Sequence, residues 1–350
     1  MSQRTLAGFL AAPLVLALLA VAALWPLPYT VYRPGPSLNV LSGGGSAASI
    51  SVDGHKSYYD DGELRMTTVR VTGRDHNTSL GEALWSWVSS NDAVYPRDAV
   101  YPEGGQTVEQ DREEGQVQMA TSQETAIAVA MEELGYHVER PAIVSVSEDM
   151  PADGVLMAGD IVLSVNGAKT PTADDVVSAI TAAAPGEEMT MVVERKSKNK
   201  TVLLVPQEDP EDHKARIGVG LGIDYDFPFD VSINIDDNIG GPSAGLIFSL
   251  AVYDTLTKGS LTGGESIAGT GEIYPDGSVG PIGGIQQKIA GASGDGARLF
   301  LVPTDNWADA QGGNRGDMRI AEVTTMSCAV DIIEKWTADQ GADLVCEDAS

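Results

Sequence analysis

Ser243 stands in the run DDNIGGPSAGLIFSLAVYD (236–254), behind two glycines and a proline and ahead of an almost wholly apolar segment. Gly240 and Gly241 permit close or positive-φ backbone, Pro242 suits the entry to a helix, and Ser243 is expected in its first turn. A serine so placed has two uses. It can cap its own helix, as serines often do. It can also attack a carbonyl, with the backbone at Gly241, Pro242 and Ala244 and the positive end of the helix steadying the resulting oxyanion.

A nucleophilic serine needs a base. The chain has only His55, His76, His137 and His213, and none has the spacing or context of a Ser-His-Asp triad or a metal site. No metal and no cofactor are expected. Lysine is the remaining choice. In PIGGIQQKIAGA (281–292), Ile285, Lys288, Ile289 and Ala292 share one helical face, whereas Gln286 and Gln287 look elsewhere. Lys288 then points toward a core, where lost solvation lowers an amine's pKa until it can act as a base near neutrality. The competing reading is a lysine that snorkels from a half-exposed face. Spacing leaves both readings open.

The elements that must position these residues alternate along the chain. GELRMTTVRVTG (62–73) has strand alternation, and SLGEALWSWVSS (79–90) has a helical stripe at Leu80, Leu84 and Val88. Residues 91–115 are polar and proline-bearing and read as an exposed loop. SQETAIAVAMEELG (122–135) reads as an amphipathic helix that Ser122 caps and Gly135 stops. The texture then changes to short strands, with candidates at 142–146, 160–165, 189–195 and 201–205 and a helix at 174–183. From Arg216 onward, strands and helices resume.

The middle stretch resembles a PDZ domain, carried by Pro151-Ala152, Leu156, Gly159-Asp160-Ile161 and Val165-Asn166-Gly167. A PDZ fold takes a peptide as an added strand on an open sheet edge. Ala142, Ile143 and Val144 are the residues expected to supply that edge, with the carboxylate loop just before them in LGYHVERPA. A purely structural spacer is the other reading of this insert.

The serine and lysine runs resemble the proteolytic domain of the Lon family, serine proteases with a Ser-Lys dyad. The family's GPSAG is Gly241-Pro242-Ser243-Ala244-Gly245, and its second motif matches Thr270-Gly271-Glu272-Ile273, Gly277, Val279, Pro281-Ile282-Gly283-Gly284 and Lys288. The resemblance implies Ser243 as nucleophile, Lys288 as general base, and Thr270 as the hydroxyl that positions the lysine amine. It extends back to GELRMTTVRV and MATSQETAIAVAM, so the PDZ stretch interrupts the Lon-like domain. Lon enzymes with an unfoldase carry an acidic residue three before the serine, where this chain has Gly240. No G-x-x-x-x-G-K-[ST] phosphate loop occurs, so ATP and other nucleotides are not expected as partners.

From Leu6 to Val31 the chain has no charged residue, and Trp25, Tyr29 and Tyr32 fall near its end. An uncleaved membrane anchor is the preferred reading, against a cleaved signal peptide ending at Ala20-Val21-Ala22. Either way the rest of the chain lies outside the cytoplasm, and the order of parts resembles the membrane-anchored PDZ–Lon proteases of Gram-positive bacteria. A net charge of −28 excludes the basic surface that nucleic acid requires. Cys328 and Cys346 stand either as a bridge or as two free thiols.

These readings give an α+β protein, a Lon-type proteolytic domain with an inserted PDZ domain (a small β-barrel-like sheet with helices) and one N-terminal transmembrane helix. The expected boundaries are a cytoplasmic tip at 1–5, the anchor at 6–31, a tether at 32–50 of which part could be the first strand, the first proteolytic part at 51–135, the PDZ domain at 136–206 and the main proteolytic part at 207–350. The expected function is ATP-independent endopeptidase action on unfolded or membrane-tethered proteins chosen by the PDZ domain. Membrane lipid is a partner of the N-terminal helix, and the resemblance implies a homo-oligomeric ring. The alternative is a membrane PDZ adaptor whose Lon-like domain only binds peptides. A signal-peptidase-like enzyme is disfavoured because its serine would lie just after the span, and Ser37 lacks a suitable context.

Overall fold

The computed structural model describes residues 3–41, 48–102, 105 and 107–346, and the side chains at 3–10, 12, 22, 48 and 49 stand outside that description. The expected tip and the start of the expected anchor therefore lie largely outside the described side chains. Helix α1 runs from Gln3 to Ala23 with Pro13 inside it. Among the described residues, no helix is long and apolar enough to cross a membrane.

Strand β1 (Tyr29–Asn39) corrects both the end of the expected anchor and the expected tether at 32–50. Thr30 and Val31 are buried, and β1 pairs with β3 (Glu63–Val71) on one side and β4 (Ala93–Pro96) on the other. Its Pro-Gly-Pro stretch is absorbed by a register shift between Pro34 and Ser37, where the missing N–H groups cost no ladder bond. Between these strands lie β2 (Ala48–Asp53) and helix α2 (Leu80–Val88), which Ser79 caps by accepting from the Glu82 N–H. The expected loop at 91–115 thus contains β4. It also contains the start of α3 (Val108–Glu133), which Thr107 opens with a capping box to Gln110. Ser122 is not a cap but a buried residue within α3.

Gly135–Pro228 form a separate unit. It contains β5 (Glu139–Val146), β6 (Ile161–Val165), α4 (Ala173–Thr181), β7 (Met189–Glu194), β8 (Asn199–Leu204) and β9 (Val219–Tyr225). The strands lie in the order β9-β5-β6-β7-β8, each antiparallel to its neighbour. Alternation along β7 buries Met189, Met191 and Val193, which form a core with Val176 and Ile180 of α4. The unit extends past the expected boundary at 206 because β9 pairs along the whole of β5.

The first unit then resumes with β10 (Asp230–Ile235), which pairs with β2. There follow α5 (Gly245–Leu256), β11 (Ser266–Gly269), α6 (Ile285–Gly294), β12 (Leu299–Pro303), β13 (Arg319–Val323) and α7 (Met326–Ala338). Its main sheet has the order β13-β12-β11-β3-β1-β4, parallel from β13 to β3 and antiparallel beyond. Every residue of β12, LFLVP, is buried, the pattern of a parallel strand covered on both faces. Helix α5 is apolar on nearly every side and packs against α3 and β3, whereas α6 packs on β1 and β3. Cys328 at the start of α7 is bonded to Cys346, with the two Cα atoms 5.2 Å apart.

Candidate active site

Three of these elements converge. Ser243 ends the glycine loop before α5, Thr270 follows β11 directly, and Lys288 sits on α6. Lys288 Nζ lies 2.7 Å from Ser243 Oγ and 2.9 Å from Thr270 Oγ1. Thr270 Oγ1 donates its hydrogen to the Ser243 carbonyl at 2.8 Å, and the Gly271 N–H donates to the same oxygen at 2.9 Å. A threonine hydroxyl has one hydrogen, so toward the lysine it can only accept. Lys288 therefore gives one N–H to Thr270, and a neutral amine held that way is free to turn its lone pair to Ser243.

Lys288 is 3% exposed, which removes the snorkelling alternative. Burial alone pushes its pKa down from 10.5 to about 7; no nearby charge contributes. Helix α6 is set deeper than its stripe suggests. Gln287, expected to look elsewhere, is buried, and its amide donates to the Asn91 carbonyl at 3.3 Å.

The loop before Ser243 departs from the sequence reading in instructive ways. Helix α5 begins at Gly245 and has no side-chain cap, so Ser243 is neither in its first turn nor spent on capping. Of the backbone expected to hold an oxyanion, Pro242 has no N–H, and the Gly241 N–H already donates to the Gly115 carbonyl at 2.9 Å. The N–H groups of Ser243 and Ala244 have no partner among the described residues and are the donors left for an oxyanion. Gly115 of α3 is the residue the sequence reading missed. A Cβ on Gly240 would stand 3.2 Å from the Gly115 backbone, a close approach that a side chain could take only if α3 gave by a few tenths of an ångström. Ser122, also on α3, donates to the Pro242 carbonyl at 3.1 Å and braces the loop from the same side.

Ser243 and Lys288 open into a cleft of about 430 Å³ with apolar walls from Tyr32, Met66, Val69, Met119 and Ile239. Tyr32, Val71 and Gly240 also line an adjoining cavity, whose other wall carries Asp111, Arg112 and Asp237. Among the described residues, no group of His, Cys, Asp and Glu could hold a metal ion.

In the second unit the expected peptide edge is corrected. Strand β5, with Ala142, Ile143 and Val144, is paired on both sides, by β9 and by β6, and Ala142 and Ile143 are buried. The open edge on that side is β9, against which α4 packs. Its Gly220-Leu221-Gly222 run comes at the other end of the unit's sequence from LGYHVERPA, although Gly222 pairs with Ala142.

Residues 234–333 match the Lon protease (S16) C-terminal proteolytic domain, and residues 112–204 match the PDZ domain. The PDZ match begins inside α3, but α3 packs with α5 in the first unit, and the structural boundary at Gly135 is the better one. The chain is 42% identical over 66 residues to the Lon protease of Metamycoplasma arthritidis, covering 19% of this chain and 8% of that protein. It is 44% identical over 69 residues to Lon protease 1 of Sorangium cellulosum, covering 20% of this chain and 8% of that one. The matched stretches thus span less than a tenth of those relatives. The crystal structure of the PDZ domain of an SdrC-like protein from Listeria monocytogenes is 22% identical, with a TM-score of 0.22, covering 23% of this chain and 86% of that one. A likeness of that size carries no argument about function.

Proposed function

We propose that this chain, a PDZ domain set between two parts of a Lon-type proteolytic domain, is an ATP-independent serine endopeptidase anchored at a membrane and facing outside the cytoplasm. The observation that carries the reading is the 2.7 Å approach of Lys288 Nζ to Ser243 Oγ in a site with no other charge. The neutral amine takes the Ser243 proton as Oγ adds to the scissile carbonyl. The Ser243 and Ala244 N–H groups hold the oxyanion, and the lysine ammonium returns the proton to the departing amine. That leaves an acyl ester on Ser243. Water, deprotonated by the same lysine, then releases the acid and restores both residues. The apolar walls of the cleft suit an apolar side chain beside the cut bond.

The chain has no phosphate loop, so cleavage of casein, an unfolded substrate, should run at the same rate with and without ATP and magnesium. Stimulation of the purified chain by ATP beyond the scatter of repeat assays would refute this. The adaptor alternative makes a different statement, because in it Ser243→Ala is silent.

The PDZ unit selects substrates and takes no part in bond cleavage. In support, β9 ends its sheet among the described residues and so offers an edge to an extended chain, and a unit tied at both ends delivers its peptide at high effective concentration. Replacing Gly135–Pro228 with a short flexible link should leave cleavage of a small unstructured peptide nearly intact and slow the physiological target sharply. Equal loss on both substrates would mean the insert only holds the proteolytic domain together.

Anchoring rests on the charge-free run from Leu6 to Ala23 within α1, ahead of β1. The outward placement is supported by the bond between Cys328 and Cys346, which an oxidising compartment favours.

A further inference from the structure

Helix α2 is built inside out. Its small residues, Ala83 and Ser86, are buried, whereas Trp85 is 77%, Trp87 80% and Val88 85% exposed, with Leu84 beside them. At 100° per residue, Leu84, Trp85, Trp87 and Val88 form one continuous apolar arc of about 160°. A helix of a water-soluble surface carries the opposite pattern, and an outward face this rich in tryptophan marks a contact surface.

Its position says what covers it. The link after α1 is stitched to the start of α2: Leu27 N–H donates to the Thr78 carbonyl at 2.8 Å, and Leu80 N–H donates to the Trp25 carbonyl at 2.9 Å. Pro26 and Ser79 form a bridge, and a Cβ on Gly81 would lie 3.2 Å from the Ala23 carbonyl. The apolar arc therefore continues directly from the exposed apolar surface of α1, with Leu24 and Trp25 between them. The charges beside the arc are paired: Arg33 meets Glu82 at 2.8 Å and Asp92 at 3.5 Å, which leaves no basic excess there for anionic lipid.

We infer that α2 is a membrane-docking helix whose Leu84, Trp85, Trp87 and Val88 face enters the headgroup layer of the bilayer that takes α1. The inference rests on the anchoring reading. Tryptophan prefers that layer because its ring is apolar and its N–H finds a polar partner there. Insertion is driven by aromatic area rather than charge, so zwitterionic lipid suffices for this acidic chain. With α1 ending at Ala23 and β1 beginning at Tyr29, the proteolytic unit sits against the lipid instead of swinging on a leash.

The test reconstitutes the full chain into vesicles of phosphatidylcholine brominated on the acyl chains near the headgroup, with flotation as a separate readout. Of the five tryptophans, Trp307 and Trp336 lie apart from this surface. The Trp85→Phe/Trp87→Phe double variant is expected to float as wild type and to lose at least half of the bromolipid quenching. Flotation with quenching unchanged in the variant overturns the docking and leaves the anchor standing. Failure of the wild type to float overturns both. A change of oligomeric mass in the Trp85→Ala/Trp87→Ala variant, with no quenching in the wild type, would make the face an interface between copies and overturn the lipid assignment.

Discussion

Ser243→Ala and Lys288→Met should each lower casein cleavage by at least about a thousandfold, the cost of losing a nucleophile or its only base. Nothing else in the site can replace either group. Among the described residues, no second titratable side chain touches Ser243 Oγ, and burial alone sets the state of Lys288. The two losses should not add, because each removes the same step. Thr270→Val should be milder, about ten- to a hundredfold in kcat with KM little changed. Valine keeps the volume but leaves the amine without the acceptor that turns its lone pair toward the serine. Turnover of either Ser243→Ala or Lys288→Met at the wild-type rate would refute the dyad.

Activity should rise with pH through an apparent pKa of about 7 and then level off. Only the neutral amine is a base, so kcat/KM should drop tenfold per pH unit on the acid side, to about a hundredth of its plateau at pH 5. The same group governs stability with a definite sign. Its pKa is about 7 when folded and near 10.5 when not, so between those values the unfolded chain holds a proton that the native state has lost. Wild-type stability must therefore increase with pH across that window and be most penalised below it. Lys288→Met removes the penalty, worth at most about 5 kcal/mol at 1.4 kcal/mol per pKa unit. Two stranded hydroxyl partners take back about half of it. A gain of about 2 kcal/mol would raise Tm by roughly 4–8 °C at pH 6. The inactive variant should thus be the more heat-resistant one below about pH 7, with the advantage shrinking steadily as pH rises from there toward 10.5. A profile flat from pH 5 to 9, or a Lys288→Met variant less stable at pH 6 than at pH 10 relative to wild type, would refute the neutral buried lysine.

Short local patterns displayed both residues: a glycine–proline approach to an apolar run, and a lysine in register with Ile285, Ile289 and Ala292. They left a capping serine and a snorkelling lysine open, and the family resemblance decided for the dyad. Those patterns depend on backbone chemistry and helical period, which a sequence displays directly. What surrounds Ser243 was not legible, since Gly115 and Ser122 reach it from a helix far away in the chain. The polar text of residues 107–118 concealed that helix because its first turns are mostly exposed and carry no apolar stripe. Strand β1 was hidden for a different reason. Its Pro-Gly-Pro reads as a linker, and only the register shift shows how a sheet tolerates it. The peptide edge was misplaced because pairing order in a sheet is a non-local fact: β9 closes over β5 from the other end of the insert.

The abutment of Gly115 on Gly240 has a consequence for how such sequences can diverge. The two positions are not equivalent: a Cβ at 115 would meet the loop at 3.7 Å, an ordinary contact, whereas one at 240 would stand 3.2 Å from the helix backbone. A lineage that gained a carboxylate at 240 would need α3 to give by a few tenths of an ångström. Since α3 also lines the neighbouring cavity with Asp111 and Arg112, that adjustment would be felt along the cavity wall. Drift should therefore be freer at 115 than at 240.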